Sequence, residues 1–123
     1  MRKLAGCVWL GLGLLLLSSH ATGAQTGTRV ALVVEIVADS ANHLEARLQV
    51  PAGTNGRDLM DRIFKMEYAS FSRRFVTGIA GFRAESRQRQ FWKLEIDGEA
   101  AMVGIAEVVI QKPVRLRWSL ATY

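Results

Sequence analysis

The stretch Phe91-Trp92-Lys93-Leu94-Glu95-Ile96-Asp97-Gly98-Glu99-Ala100-Ala101 decides the fold of this chain. Trp92, Leu94 and Ile96 alternate with Lys93 and Glu95, which gives one apolar and one polar face at a period of two. That is the pattern of a half-buried strand. Asp97-Gly98 follows without a break and supplies the two positive φ angles of a type I′ turn. The strand therefore folds back on itself, and the flanking segments can be placed around it.

Downstream, residues 100–112 carry no clear period, with a short strand expected at 107–110. Pro113 punctuates. Val114, Leu116, Trp118 and Leu120 then alternate with Arg115, Arg117 and Ser119, predicting a last strand with its core face on even positions. Upstream, residues 82–90 are polar and basic and read as a surface loop. Residues 74–79 read as a short strand closed by Gly78-Ile79-Ala80-Gly81, after a connector over 68–73. Leu59, Ile63 and Met66, with Met60 and Phe64 beside them, make an apolar stripe at helical spacing. Asn55 or Thr54 can cap that helix, which is expected over 56–67.

The chain's earlier half supplies a hairpin. Residues 29–38 are rich in β-branched side chains, with even positions uniformly apolar and odd positions mixed, as in a central strand. Asp39-Ser40-Ala41-Asn42 forms the turn, and Leu44, Ala46, Leu48 and Val50 alternate with Glu45, Arg47 and Gln49 in the second strand. Hairpin, helix, short strands and a strong terminal strand define an α+β domain over 29–123, with one helix packed on a mixed sheet. This is the element order of a β-grasp, or ubiquitin-like, fold.

Before it lies a different kind of segment. Arg2 and Lys3, an apolar run over 8–17 and a small, polar stretch over 18–24 have the layout of a secretory signal peptide. The run is shorter than the roughly 20 residues that span a bilayer, so no stable membrane anchor is expected. Thr22-Gly23-Ala24 is the preferred cleavage site and Ser19-His20-Ala21 the second. Leu4-Ala5-Gly6-Cys7 resembles a lipobox, but it precedes the apolar run, where a lipobox must follow it. Cleavage removes Arg2 and Lys3, taking 16 basic residues to 14 against 11 acids, for a net charge of +3. That excess is too small to argue for nucleic acid. Cleavage also removes Cys7, the only cysteine. Export without disulfides suits a periplasm or another extracellular setting of a bacterium.

Three motifs carry a resemblance. Val50-Pro51-Ala52-Gly53-Thr54 before Asp58-Leu59-Met60, then Phe75-Val76-Thr77-Gly78-Ile79-Ala80-Gly81, then Phe91 to Gly98, together resemble the transcobalamin-like C-terminal domain family. Gly104 and Trp118 match its closing glycine and aromatic-ended strand, while Asp97 stands where the family has asparagine. The resemblance covers essentially residues 29–123. It implies a β-grasp fold and a role in binding a soluble ligand, cobalamin-like in the best-known members.

The residues themselves argue against catalysis. His43 is the only histidine after cleavage, with no cysteine to join it, so neither a metal centre nor a nucleophile system is expected. Asp58 and Asp61 sit among Arg57, Arg62 and Lys65, as on an ordinary solvated helix face. Trp92 and Trp118 share parity with core positions. Phe91 instead has the parity of Lys93 and Glu95. With Phe82 and the loop cations Arg83, Arg87 and Arg89, it outlines a surface on which a conjugated, anionic ligand could stack and pair. The expectation is an exported, non-enzymatic module. It needs no cofactor and binds either a small molecule through Phe82, Arg83, Arg87, Arg89, Phe91 and Trp92, or a protein partner along an open sheet edge.

The address is testable. Mass spectrometry of the protein from a bacterial envelope fraction should find a start at Gln25 or Thr22. A species acylated at Cys7 and retaining Leu14 to Leu17 would overturn this reading.

Overall fold

The computed structural model describes residues 27–123; the expected signal peptide, 1–24, lies outside them. Among the described residues no helix is long and apolar enough to cross a membrane.

The elements are β1 (Arg29–Asp39), β2 (Asn42–Pro51), β3 (Thr54–Asn55), α1 (Gly56–Ile63), β4 (Met66–Ala69), β5 (Ser72–Ile79), β6 (Phe82–Arg83), β7 (Gln90–Ile96), β8 (Glu99–Ala100), β9 (Val109–Ile110) and β10 (Val114–Thr122). The main sheet has the order β2-β1-β10-β7-β8. β1 and β10 run parallel, from Leu32 opposite Val114 to Val37 opposite Ser119, and the other neighbours are antiparallel. The sheet is therefore mixed and the class α+β, as expected.

The strands are not all in one sheet. β4, β5 and β6 form a separate three-stranded sheet, and β3 pairs with β9 alone. The helix is also shorter than its stripe suggests: it stops at Ile63, and Met66 opens β4 instead of closing α1. Phe64 leaves the helix in extended conformation, with φ −134° and ψ 157°. The pairing of Met66 with Ile79 supplies a strand partner that outweighs one more turn of a short helix. Residues 82–90, read as a loop, contain β6 and a 3₁₀ turn over Ser86–Gln88.

Local rules hold at the turns. Asp97 and Gly98 have φ of 51° and 87°, as a type I′ turn requires, and Ala80-Gly81 repeats the device with 54° and 90°. The Asn55 side chain accepts the Asp58 N–H at 3.1 Å and caps α1. Asp39 Oδ1 accepts the N–H groups of Ala41 and Asn42 and holds the first hairpin's turn.

One core joins the layers. Even positions of β1 (Val30, Leu32, Val34 and Ile36) meet Leu116 and Trp118 of β10, Trp92 and Leu94 of β7, and Leu59 and Met60 of α1, all buried. Gly56 lets the start of α1 press against the turn at Ile105–Glu107. A Cβ there would lie 2.8 Å from Ile105 Cδ1 and 2.9 Å from its backbone oxygen. Gly56→Ala should therefore destabilise by about 1–3 kcal/mol through overpacking. Helix propensity alone would make the same change stabilising by about 1 kcal/mol, so urea melts give the sign directly.

Candidate functional site

β7 is paired along its full length with β10, but its other edge meets β8 only at Glu95 and Ile96. Its first half therefore faces β5 across open space. The result is a cleft of about 370 Å³, within the range of small-molecule sites. Phe91, Trp92, Lys93 and Leu94 form one wall, Arg74, Phe75 and Val76 the other. Val103, Gly104 and Ile105 close one end and Trp118 lies at the base.

A second cavity of about 270 Å³ adjoins it, lined by Phe71, Thr77, Gln90 and Tyr123 among others. Phe75, Val76 and Phe91 line both. Phe75 is 49% exposed and meets Phe71 edge-on, with ring centroids 5.8 Å apart. Phe91 is half-buried, its ring 6.2 Å from that of Tyr123. Two aromatic faces thus stand between two apolar hollows. The indole N–H groups of Trp92 and Trp118 are themselves buried, with no acceptor among the described residues. A buried donor left unpaired costs about 1–3 kcal/mol.

Of the six residues picked out from the sequence, the structure brings Phe91 and Trp92 to the cleft. Phe82 packs on the edge of the core opposite Ile79 and lines neither cavity. The three loop arginines do not converge. Arg83 Nε reaches Glu67 Oε1 at 2.8 Å. Arg89 donates to the Tyr123 backbone oxygen at 2.6 Å, with its guanidinium 5.1 Å from that ring's centroid. Arg87 is exposed in the 3₁₀ turn. The cations at the cleft are Arg74, paired with Glu107, and Lys93, 3.4 Å from Glu95. Sequence reasoning passed over Phe75. Its signal was the one that exposed Phe91: an aromatic out of phase with buried Val76 of the same strand.

The other polar clusters are structural. Asp61 accepts a hydrogen bond from the Tyr68 hydroxyl and pairs with Arg73 at 3.6 Å, tying α1 to β4. Burial, then the Asp61 carboxylate, push the Tyr68 hydroxyl well above the usual tyrosine range. On the sheet face away from α1, donor atoms of Glu35, His43 and Glu45 lie within 4.8 Å of one another. Arg115 already holds Glu35 at 2.6 Å and Arg47 holds Glu45 at 2.7 Å, so these carboxylates are neutralised in place.

Together these features define an α+β domain with an aromatic cleft of ligand-binding size and no assembled catalytic group among the described residues. A family model described as a domain of unknown function (DUF4430) matches residues 55–122, and the chain belongs to that family. Among solved structures, it is similar to haptocorrin in complex with Cbi, at 18% identity and a TM-score of 0.65, covering 80% of this chain. The chain spans 26% of that haptocorrin chain. It is also similar to a candidate metal-binding protein from Ruminococcus gnavus, at 14% identity and a TM-score of 0.62, covering 76% of this chain and 98% of that one. No curated protein matches the sequence. The transcobalamin-like reading of the three motifs therefore stands, and the likeness to these structures is one of fold.

The electrostatics make an acid-stability prediction. Burial alone would raise the Glu35 carboxyl, but hydrogen bonds from Arg115 and His43, with the charges of Arg115 and Arg117, outweigh it and hold the group below its ordinary value. A carboxyl depressed in the folded state contributes stability above its unfolded pKa, about 4.3, and loses that contribution as pH falls through the folded value. Glu35→Gln should therefore flatten the fall of the melting temperature below about pH 4.3, measured against the parent between pH 7 and 3.

Proposed function

We propose that this chain is an exported, non-enzymatic module of the β-grasp fold that binds a soluble ligand in the cleft between β5 and β7. One observation carries the reading: an apolar cavity of about 370 Å³ with Phe75 and Phe91 at its mouth and two tryptophans in its walls. Aromatic faces bind flat, conjugated groups by stacking. Arg74 and Lys93 give the rim cations that can turn from their carboxylates toward an anionic substituent. A cleft of this volume encloses one part of a large ligand, and the adjoining hollow behind Phe75 and Phe91 extends the surface for more of it. A cobalamin-like ligand fits this description. The family resemblance supports it, as does likeness of fold to a structure that holds Cbi. The signal-like layout of residues 1–24 supports export.

A second reading is a docking module or accessory subunit of a larger envelope complex. Phe71 at 77%, Met102 at 94% and Val103 at 51% exposure leave apolar surface beside the same cleft, which a protein partner could cover.

Thermal-shift titration with corrinoids and other conjugated anions separates the two. A ligand that binds only the folded state raises the melting temperature by mass action. Phe75→Ala should leave the unliganded melting temperature nearly unchanged, because the side chain is half exposed. It should weaken the ligand about tenfold through lost stacking. No shift with any compound, together with a partner captured from envelope extract and lost on Phe71→Ser or Met102→Ser, would favour the docking reading.

A further inference from the structure

β2 forms one end of the main sheet: β1 pairs with it on one side, and no described strand pairs on the other. Its ten residues make an edge about 33 Å long at roughly 3.3 Å per residue. Natural edges of that length carry devices against further pairing, such as a bulge, a proline, an inward charge or charged side chains, lysine above all; the charges of β2, Glu45 and Arg47, are of opposite sign and can face each other across a twofold axis. β2 has no lysine, its pairing with β1 is regular up to Val37 and His43, and its one proline, Pro51, is its last residue. Leu44 is left 40% exposed on it.

The backbone parity of this edge follows from one hydrogen bond. The Ala52 N–H donates to the Thr28 carbonyl at 2.9 Å. In the observed register, Val50, Leu48, Ala46 and Leu44 are then the positions bonded to β1. His43, Glu45, Arg47 and Gln49 turn their N–H and C=O groups outward. The Gln49 carbonyl behaves accordingly and accepts from Arg29 Nη2 at 3.0 Å.

We propose that β2 is a homodimer interface, pairing antiparallel with β2 of a second copy about a twofold axis at Ala46. That register sets Glu45 opposite the partner's Arg47 and Arg47 opposite the partner's Glu45. It sets Leu44 against the partner's Leu48, where side chains approach most closely. Both members of each Glu45–Arg47 pair present outward N–H and C=O groups, so the ladder closes on either side of the axis. Registers slipped by one residue would match an outward backbone with an inward one. Registers slipped by two would set Glu45 against itself or Arg47 against itself, and like charges directly opposed are destabilising. Among registers within two residues of it, this one alone matches both backbone parity and charge, as an isologous twofold contact requires. Glu45 gains most. Within one copy it lies opposite Glu35 in the β1–β2 register, and the partner's Arg47 would flank it on its other side. The surface lies at the opposite end of the sheet from the β5–β7 cleft and does not depend on what that cleft binds.

Analytical ultracentrifugation of the purified protein over a concentration series tests this. A monomer–dimer equilibrium is expected. Glu45→Arg and Arg47→Glu should each raise the dimer dissociation constant about tenfold or more. Mixing the two variants in equal amounts should restore association as a heterodimer, because the reversed charges then face each other. Ala46→Cys should cross-link to itself on mild oxidation, since opposed Cα atoms at such a position lie about 4.5 Å apart, within disulfide reach. A monomer at every concentration overturns the proposal. So does a dimer that ignores both charge reversals and fails to cross-link through position 46.

Discussion

The parallel pairing of β1 with β10 is the constraint on which the rest depends. It brings together residues as far apart in sequence as Leu32 and Val114 and buries Val34 and Leu116 completely at the sheet's centre. Parallel neighbours cannot be joined by a tight turn, so everything between β2 and β10 must form a crossover. α1 lies in that crossover and covers the apolar face with Leu59 and Met60. β7 can then add only on the free side of β10, and β2 ends the sheet at the other side. One side then borders the cleft, and the other is an edge to which no further strand is added among the described residues.

The cleft exists because a second sheet stops short of the first. β5 pairs with β4 and β6, not with β7, so the two strands face each other through side chains instead of through a ladder. Phe75 and Phe91 project into that gap, and apolar residues there have nowhere else to be buried. Trp92 and Trp118 serve two ends at once. They fill the core between sheet and helix, and their rings form the walls of the cavity.

Charge is handled locally across the molecule. Glu35 with Arg115, Glu67 with Arg83, Glu107 with Arg74 and Asp61 with Arg73 are each paired between elements distant in sequence. Most of these pairs are exposed and contribute little to stability. What they do is fix which cations remain near the cleft. Two of the loop arginines, Arg83 and Arg89, are drawn in this way to Glu67 and to the Tyr123 carbonyl.

Short-range chemistry was legible in the sequence wherever one residue type has one geometric use. Asp97-Gly98 could only be a tight turn, Asn55 capped a helix, and alternation over 92–96 and 114–120 named the buried faces of β7 and β10. The parity break at Phe91 pointed to the strand that borders the cleft. What no local pattern contained was which strands would pair. The division into three sheets, the end of α1 at Ile63 and the opposite wall at Phe75 arise from contacts between segments far apart in sequence. So does the choice of ion-pair partners, which depends on which side chains packing brings within about 4 Å. Periodicity reports which face of an element is buried; only the assembled core decides against what.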